Sequence, residues 1–150
     1  MNFVPERYET ECLDRIDGQI AGASMMSRDE RLFINGLVRR FKPKKVLEVG
    51  VSMGGGTCVL LNAVGDDPDA VVHSVDWSER YYMDSSKVTG WEASELFAGT
   101  PKWRPHLGYD ASEVIEEIGG GVDFVVLDTV HWHPGETLSF ISVFPFLTRD

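Results

Sequence analysis

Lys44-Lys45-Val46-Leu47-Glu48-Val49-Gly50-Val51-Ser52-Met53-Gly54-Gly55-Gly56-Thr57 reads as a short apolar strand that enters a glycine-rich turn and then opens a helix. Val46, Leu47 and Val49 form the apolar run of a strand buried on both faces in a parallel sheet. Gly50 and Gly54 to Gly56 let the backbone turn tightly and approach a ligand, because no Cβ stands in the way. The helix, from about Gly54 to Val64, points its unpaired N–H groups at whatever sits in the turn. Glu48 decides between ligands. A carboxylate at the end of a buried strand is costly when unpaired. It repels a dinucleotide pyrophosphate and welcomes an ammonium group. No lysine follows the glycines, so the turn is not a phosphate-cradling P-loop.

On the N-terminal side, Ser27 and Glu30 form a capping box for a helix that carries Leu32, Phe33, Leu37 and Phe41 and stops before Pro43. Residues 1–23 are polar and weakly periodic, and Gly18 and Gly22 break any helix there, so they are expected to form an N-terminal cover segment ahead of a single domain over 24–150. On the other side, Cys58, Leu60, Leu61 and Val64 give the helix its sheet-facing side, and Gly65 to Asp69 is a turn cluster. Ala70 to Val75 is the second strand. It ends at Asp76, 26 residues after Gly50, where a carboxylate either accepts bonds from ribose hydroxyls or serves as a turn or cap residue. Trp77 to Gly99 is irregular and aromatic, either part of a pocket wall or packing on the sheet edge.

Lys102 to Leu107 is a third, edge-like strand because Pro105 cannot donate to a central ladder. Asp110 precedes a helix over Ser112 to Ile118 and can cap it. Val122 to Asp128 is the fourth strand, and Asp128-Thr129-Val130-His131-Trp132-His133 follows at its carboxyl end, where such sheets bind ligands. A helix with Leu138, Ile141, Val143, Phe144 and Leu147 starts at Pro134 and is interrupted by Pro145. His73 and His106 fall inside strands and read as structural.

The composition is that of an ordinary globular protein, with 43% hydrophobic and 25% charged residues in 150. The net charge of −10 is lopsided: residues 1–75 hold 9 basic and 11 acidic side chains, residues 76–150 hold 5 and 13. Nucleic acid is therefore a poor partner, and the basic cluster Arg39, Arg40, Lys42, Lys44 and Lys45 reads as a solvated helix end and strand start. Cys12 and Cys58 lack metal-ligand spacing and read as reduced thiols of a cytoplasmic protein. No signal-peptide core and no membrane-spanning stretch is present in the sequence.

Taken together, the acid-x-Gly-x-small-x-Gly pattern, Asp76 and the segment Asp123 to His131 resemble the class I S-adenosylmethionine-dependent methyltransferases. The likeness is greatest to a small bacterial branch whose first strand reads like Pro43 to Ser52, and it runs from about Ser24 to the last residue. S-adenosylmethionine has an α-amino group, a sulfonium and no phosphate, as Glu48 requires. The resemblance implies an α/β, Rossmann-like three-layer sandwich with a mostly parallel sheet in the order 3-2-1-4, followed in the full fold by three more strands. The sequence ends where a fifth strand would begin. Three readings follow: a fragment, a natural short form whose fourth-strand edge is covered by another chain, or a different fold. Pairing of that edge with a second copy is the expected assembly.

The implied cofactor-binding set is Glu48, Gly50, Ser52, Gly54, Asp76, Trp77, Asp110, Ala111 and Asp128, with Asp110 and Ala111 against the adenine. Ser52 departs from the pattern, standing where a second glycine is usual. His131 is the first candidate base for an oxygen acceptor, oriented by Asp128, and His133 the second; both histidines read equally as loop residues. Related sequences often carry a further acid at the position of Val130, so no metal is expected. The acceptor is expected to be a small molecule. Two other classes compete: a cofactor-binding fragment without catalysis, and an oxygenase using Asp128, His131 and His133 as iron ligands. A nicotinamide dehydrogenase is disfavoured by Glu48 and Ser52.

Overall fold

Alternation along the strands decides which layer each side chain meets. In β1 (Lys45–Val49), Leu47 and Val49 face one side and Val46 and Glu48 the other. The computed structural model describes residues 10–22, 24–65, 67–129 and 131–148. Its chain order is α1 (Thr10–Ile20), α2 (Arg28–Phe41), β1, α3 (Gly55–Val64), β2 (Val71–Asp76), α4 (Trp91–Leu96), β3 (Trp103–Leu107), α5 (Ala111–Ile118), β4 (Phe124–Leu127) and α6 (Gly135–Val143), then a 3₁₀ turn at Phe144–Phe146. The four strands form one parallel sheet in the order β3-β2-β1-β4. This is the α/β fold and strand order that the sequence predicts.

Leu47, Val49 and Val75 pack with Ala111, Val114, Ile115 and Ile118 of α5 and with Val143 of α6. Val46 and Val72 pack with Val38 of α2 and with Leu60, Leu61, Ala63 and Val64 of α3. α3 is enclosed by α1, α2, α4 and the sheet, so nearly every side chain from Thr57 to Val64 is buried. The predicted capping box at Ser27 and Glu30 is formed. β3 is an edge strand, and Pro105 sits in it beside Ser74.

Three expectations need correction. Residues 10–20 are a helix and run through Gly18, which faces open space. Leu13, Ile16 and Ile20 recur at helical spacing and pack with Leu32, Cys58 and Val59, and that burial outweighs the roughly 1 kcal/mol a helical glycine costs. Asp17 of this helix pairs at 2.7 Å with the buried Arg31. Residues 1–9 of the expected cover segment lie outside the described residues. In α2 the buried side is Arg31, Leu32, Asn35, Gly36 and Val38, while Phe33 and Phe41 are exposed, because α3 takes the neighbouring stripe of the helix. The fourth strand is shorter than expected, and Val122 instead bridges Leu147 in parallel through Thr148 N–H to Val122 O at 2.9 Å. The outer edge of Phe124–Leu127 has no strand partner among the described residues.

Cys12 and Cys58 are free and buried. Among the described residues, no helix is long and apolar enough to cross a membrane. Leu13 is fully buried, so Leu13→Ala is expected to lower the unfolding free energy by about 2–4 kcal/mol in a urea titration. An unchanged midpoint would show that α1 is not part of the core.

Candidate functional site

The carboxyl ends of the strands open into a cleft of about 980 Å³. Glycine geometry builds its floor. Gly50 has φ +95°, and a Cβ there would stand 1.9 Å from the carbonyl oxygen of Asp128. The ends of β1 and β4 can therefore meet only if residue 50 has no side chain. Ser52 takes the left-handed φ of +53° that a glycine would adopt without strain, and its N–H and that of Val51 are held by Asp76.

Asp76 serves the loop first. Its Oδ2 accepts from Val51 N at 2.9 Å and Ser52 N at 3.2 Å, and its Oδ1 accepts from Ser78 N at 2.9 Å. A carboxylate has about four acceptor positions, so one remains on Oδ1 for a ligand. The turn role read from the sequence is the one these bonds show. Asp110 likewise caps α5 through Ser112 N at 2.8 Å, in a capping box with Glu113, and lines the cleft beside the buried Ala111. Trp77 lies exposed on the rim.

Glu48 is only 2% exposed, because strand alternation turns it under α3. Thr57 Oγ1 donates to its Oε2 at 2.6 Å, Ser74 on the adjacent strand also hydrogen-bonds it, and Trp103 Nε1 donates to Ser74 Oγ at 3.0 Å. Burial pushes the Glu48 carboxyl up to about 7 against the pull of those bonds, and the charges of Asp128 and Asp76 push the same way. A Cβ on Gly56 would lie 2.7 Å from Glu48 Oε1, so the first turn of α3 rests on the acid. Burial also pushes the Cys58 thiol behind it up to about 12, which leaves it unreactive.

Asp128 and His131 come together as the sequence suggests, with Nε2 3.1 Å from Asp128 Oδ1. Glu136, in the first turn of α6, faces the other ring nitrogen at 3.5 Å. His131 has φ +50°. His133 does not join them: its Nδ1 lies 3.4 Å from Thr137 Oγ1, and it does not line the cleft. Among the described residues no three His, Cys, Asp or Glu side chains are grouped to hold a metal. Val130 lies outside the described residues. His73 and His106 contact each other at 3.1 Å within β2 and β3, away from the cleft.

Of the two readings of Trp77 to Gly99, the pocket wall applies to its first part, which supplies the front wall in a hairpin that the sequence did not suggest. Residues 79–89 form a hairpin with Arg80 and Val88 bridged, Thr89 N donating to Glu79 O at 3.0 Å, and a turn around Asp84 and Ser86. Its base is tied to the glycine loop through Gly90 N to Ser52 O at 2.8 Å. Tyr82 reaches Met25 Sδ at 3.6 Å, so Ser24 to Met26 completes the wall. The scattered aromatics Trp77, Tyr81, Tyr82 and Trp91 are the signal there, and they resemble those of any exposed loop. Two buried hydroxyls on cleft-lining residues, Ser52 Oγ and Thr129 Oγ1, have no hydrogen-bond partner.

A parallel sheet with its cleft at the strand ends, a glycine loop and a buried acid beneath it defines a Rossmann-like binding domain. Residues 47–150 match the methyltransferase-domain family, and the chain belongs to that family. No curated protein matches the sequence. Among solved structures, the S-adenosylhomocysteine-bound methyltransferase PaMTH1 of Podospora anserina superposes with a TM-score of 0.65 at 16% identity, over 99% of this chain and 69% of that one. The O-methyltransferase TomG of Streptomyces achromogenes, involved in tomaymycin synthesis and solved with S-adenosylmethionine, gives 0.66 at 16%, over 98% and 71%. A Staphylococcus aureus structure described as a caffeoyl-CoA O-methyltransferase gives 0.63 at 18%, over 98% of this chain and 63% of its own. These likenesses concern the fold, and the chain spans less than two thirds of that last protein.

Two outcomes follow. Gly50→Ala is expected to destabilise the protein by more than 2 kcal/mol in chemical denaturation, since backbone rather than a mobile side chain blocks the Cβ. Glu48 has a folded pKa above its usual 4.5, so its contribution to stability is fully present below 4.5 and is lost as pH rises through about 7. Ligand-free Glu48→Gln is therefore expected to gain up to about 3 kcal/mol over the native protein at pH 8 and little at pH 4. Equal differences at both pH values would contradict a carboxyl held protonated by burial.

Proposed function

We propose that the protein is an S-adenosylmethionine-dependent methyltransferase acting on a hydroxyl of a small-molecule acceptor. The observation that carries this reading is Glu48, a buried carboxylate under a glycine loop in an acidic cleft. Such a site suits a ligand that carries positive charge and no phosphate. The residues present fit that cofactor: Ser52 Oγ and Thr129 Oγ1 are unmet, Gly50 leaves the floor bare, and one acceptor position of Asp76 is open. Glu48 would hold the ammonium, Asp76 a ribose hydroxyl, and Asp110 and Ala111 the adenine edge, with Gly54, Trp77 and Asp128 completing the surround.

When bound, the cofactor supplies an electrophilic methyl group on its sulfonium. The chain's part is to hold the acceptor oxygen in line, which can supply about 7–11 kcal/mol of the barrier. Asp128 fixes the His131 ring through Nε2, and Nδ1, with Glu136 beside it, takes the hydroxyl proton. Leu138, Ile141 and the Tyr81 ring give the cleft an apolar side against which an acceptor can pack. His131 is the histidine of the cleft lining among the described residues, which supports it as base; His133 does not line the cleft. The open β4 edge favours pairing with a second copy, and the two unpaired thiols suit a reducing cytoplasm.

Isothermal titration with S-adenosylmethionine, followed by a screen of phenolic and sugar hydroxyl acceptors, tests this. Binding with turnover is expected, and His131→Ala should lower turnover by about 10²–10⁴ while leaving cofactor affinity intact. Binding without turnover on any acceptor favours the non-catalytic reading, and no binding removes both. Affinity should also fall about tenfold for each pH unit below 7, as Glu48 takes up its proton, and the dependence should vanish in Glu48→Gln. Light scattering that shows only monomer would remove the pairing.

A further inference from the structure

One charge of the proposed ligand is left without an obvious partner. Resting on the methyltransferase reading, the cofactor's tail carries an ammonium and a carboxylate on the same carbon. The ammonium is answered by Glu48. The carboxylate cannot lie over the same spot. The first turn of α3 rests on Glu48 so closely that a Cβ on Gly56 would be 2.7 Å from Oε1, and an anion placed there would meet a second one beneath it. The tail must therefore turn its carboxylate away from the floor.

Few groups on the walls can receive it. Four carboxylates line the cleft, those of Glu48, Asp76, Asp110 and Asp128, and the basic lining side chains among the described residues are His131 and Arg80. His131 is already held between Asp128 and Glu136. The guanidinium of Arg80 has no hydrogen-bond, ion-pair or ring partner among the described residues, in a chain with 24 acidic and 14 basic side chains. Elsewhere Arg28, Arg31 and Lys44 are each paired with an aspartate. Arg80 is exposed at the rim of an acidic cleft, where its free guanidinium can receive an incoming anion.

Its position in the wall agrees. Arg80 is in the first arm of the hairpin, opposite Val88. Tyr82, two residues on, reaches Met25, and the neighbouring Met26 has its Cε 3.4 Å from the Cβ position of Gly56, above Glu48. Glu79, adjacent to Arg80, packs instead against Gly108 near the start of α5. Arg80, Tyr81 and Tyr82 line the cleft, whereas Glu79 does not. The hairpin thus turns its acid towards Gly108 and leaves its base on the cleft.

We propose that Arg80 receives the carboxylate of the cofactor's amino-acid tail, so that the zwitterion is held between Glu48 below and Arg80 in the wall. The test compares two ligands by isothermal titration: S-adenosylhomocysteine, and 5′-methylthioadenosine, which shares the nucleoside but has no amino-acid tail. Arg80→Met is expected to weaken S-adenosylhomocysteine by about 10–100-fold and to leave 5′-methylthioadenosine within about twofold, with Arg80→Lys between the two. A thermal melt of each variant confirms the fold. Unchanged S-adenosylhomocysteine affinity in Arg80→Met overturns the assignment and leaves Arg80 to an anionic acceptor. Equal weakening of both ligands overturns it as well, since Arg80 would then act on the nucleoside or the hairpin. Native protein that binds neither ligand fails the methyltransferase reading itself, and this assignment falls with it.

Discussion

The cleft depends on one close approach, the α-carbon of Gly50 against the carbonyl of Asp128. With a would-be Cβ 1.9 Å from that oxygen, any other residue drives the ends of β1 and β4 apart. Those two ends carry the glycine loop and Asp128, the acid in contact with His131. Their separation is thus set by the absence of a side chain rather than by an attraction. Asp76 supplies the attraction, since its carboxylate ties the loop back to β2 through Val51 and Ser52. Sterics fix the distance and hydrogen bonds fix the shape.

Glu48 is the complement of that frame. Its partners come from three elements: Thr57 on α3, Ser74 on β2, and Trp103 on β3 acting through Ser74. A buried acid with this support is oriented before any ligand arrives. Burial nevertheless holds it near neutrality in charge, with a pKa of about 7. A site of this kind gains from a cation twice, by direct attraction and by relieving the cost of the isolated charge.

Much of this was legible in the residues because it rests on local rules. The run Val46 to Val49, the glycines after it and the period of the flanking helices give the sheet and its strand ends. Asp76 and Asp110 were legible as positions, and each forms the turn or cap bonds that the sequence offered while lining the cleft. What escaped depends on tertiary contact. Gly18 argued against a helix at 10–20, yet Leu13, Ile16 and Ile20 had a groove on α3 to fill. Phe33 and Phe41 looked like core because they are large, but α3 packs on the next stripe of α2, which holds Asn35 and Gly36. The hairpin at 79–89 and the Glu136 contact to His131 join residues through loops, where periodicity carries no signal.

The hairpin is not an independent flap. Gly90 donates to the carbonyl of Ser52 and Glu92 to that of Met53, so the wall grows directly out of the glycine loop. Floor and wall therefore form one mechanical piece. A molecule that shifts the loop on entering shifts the aromatic wall with it, which makes the width of the entrance and the fit at the bottom a single adjustable quantity.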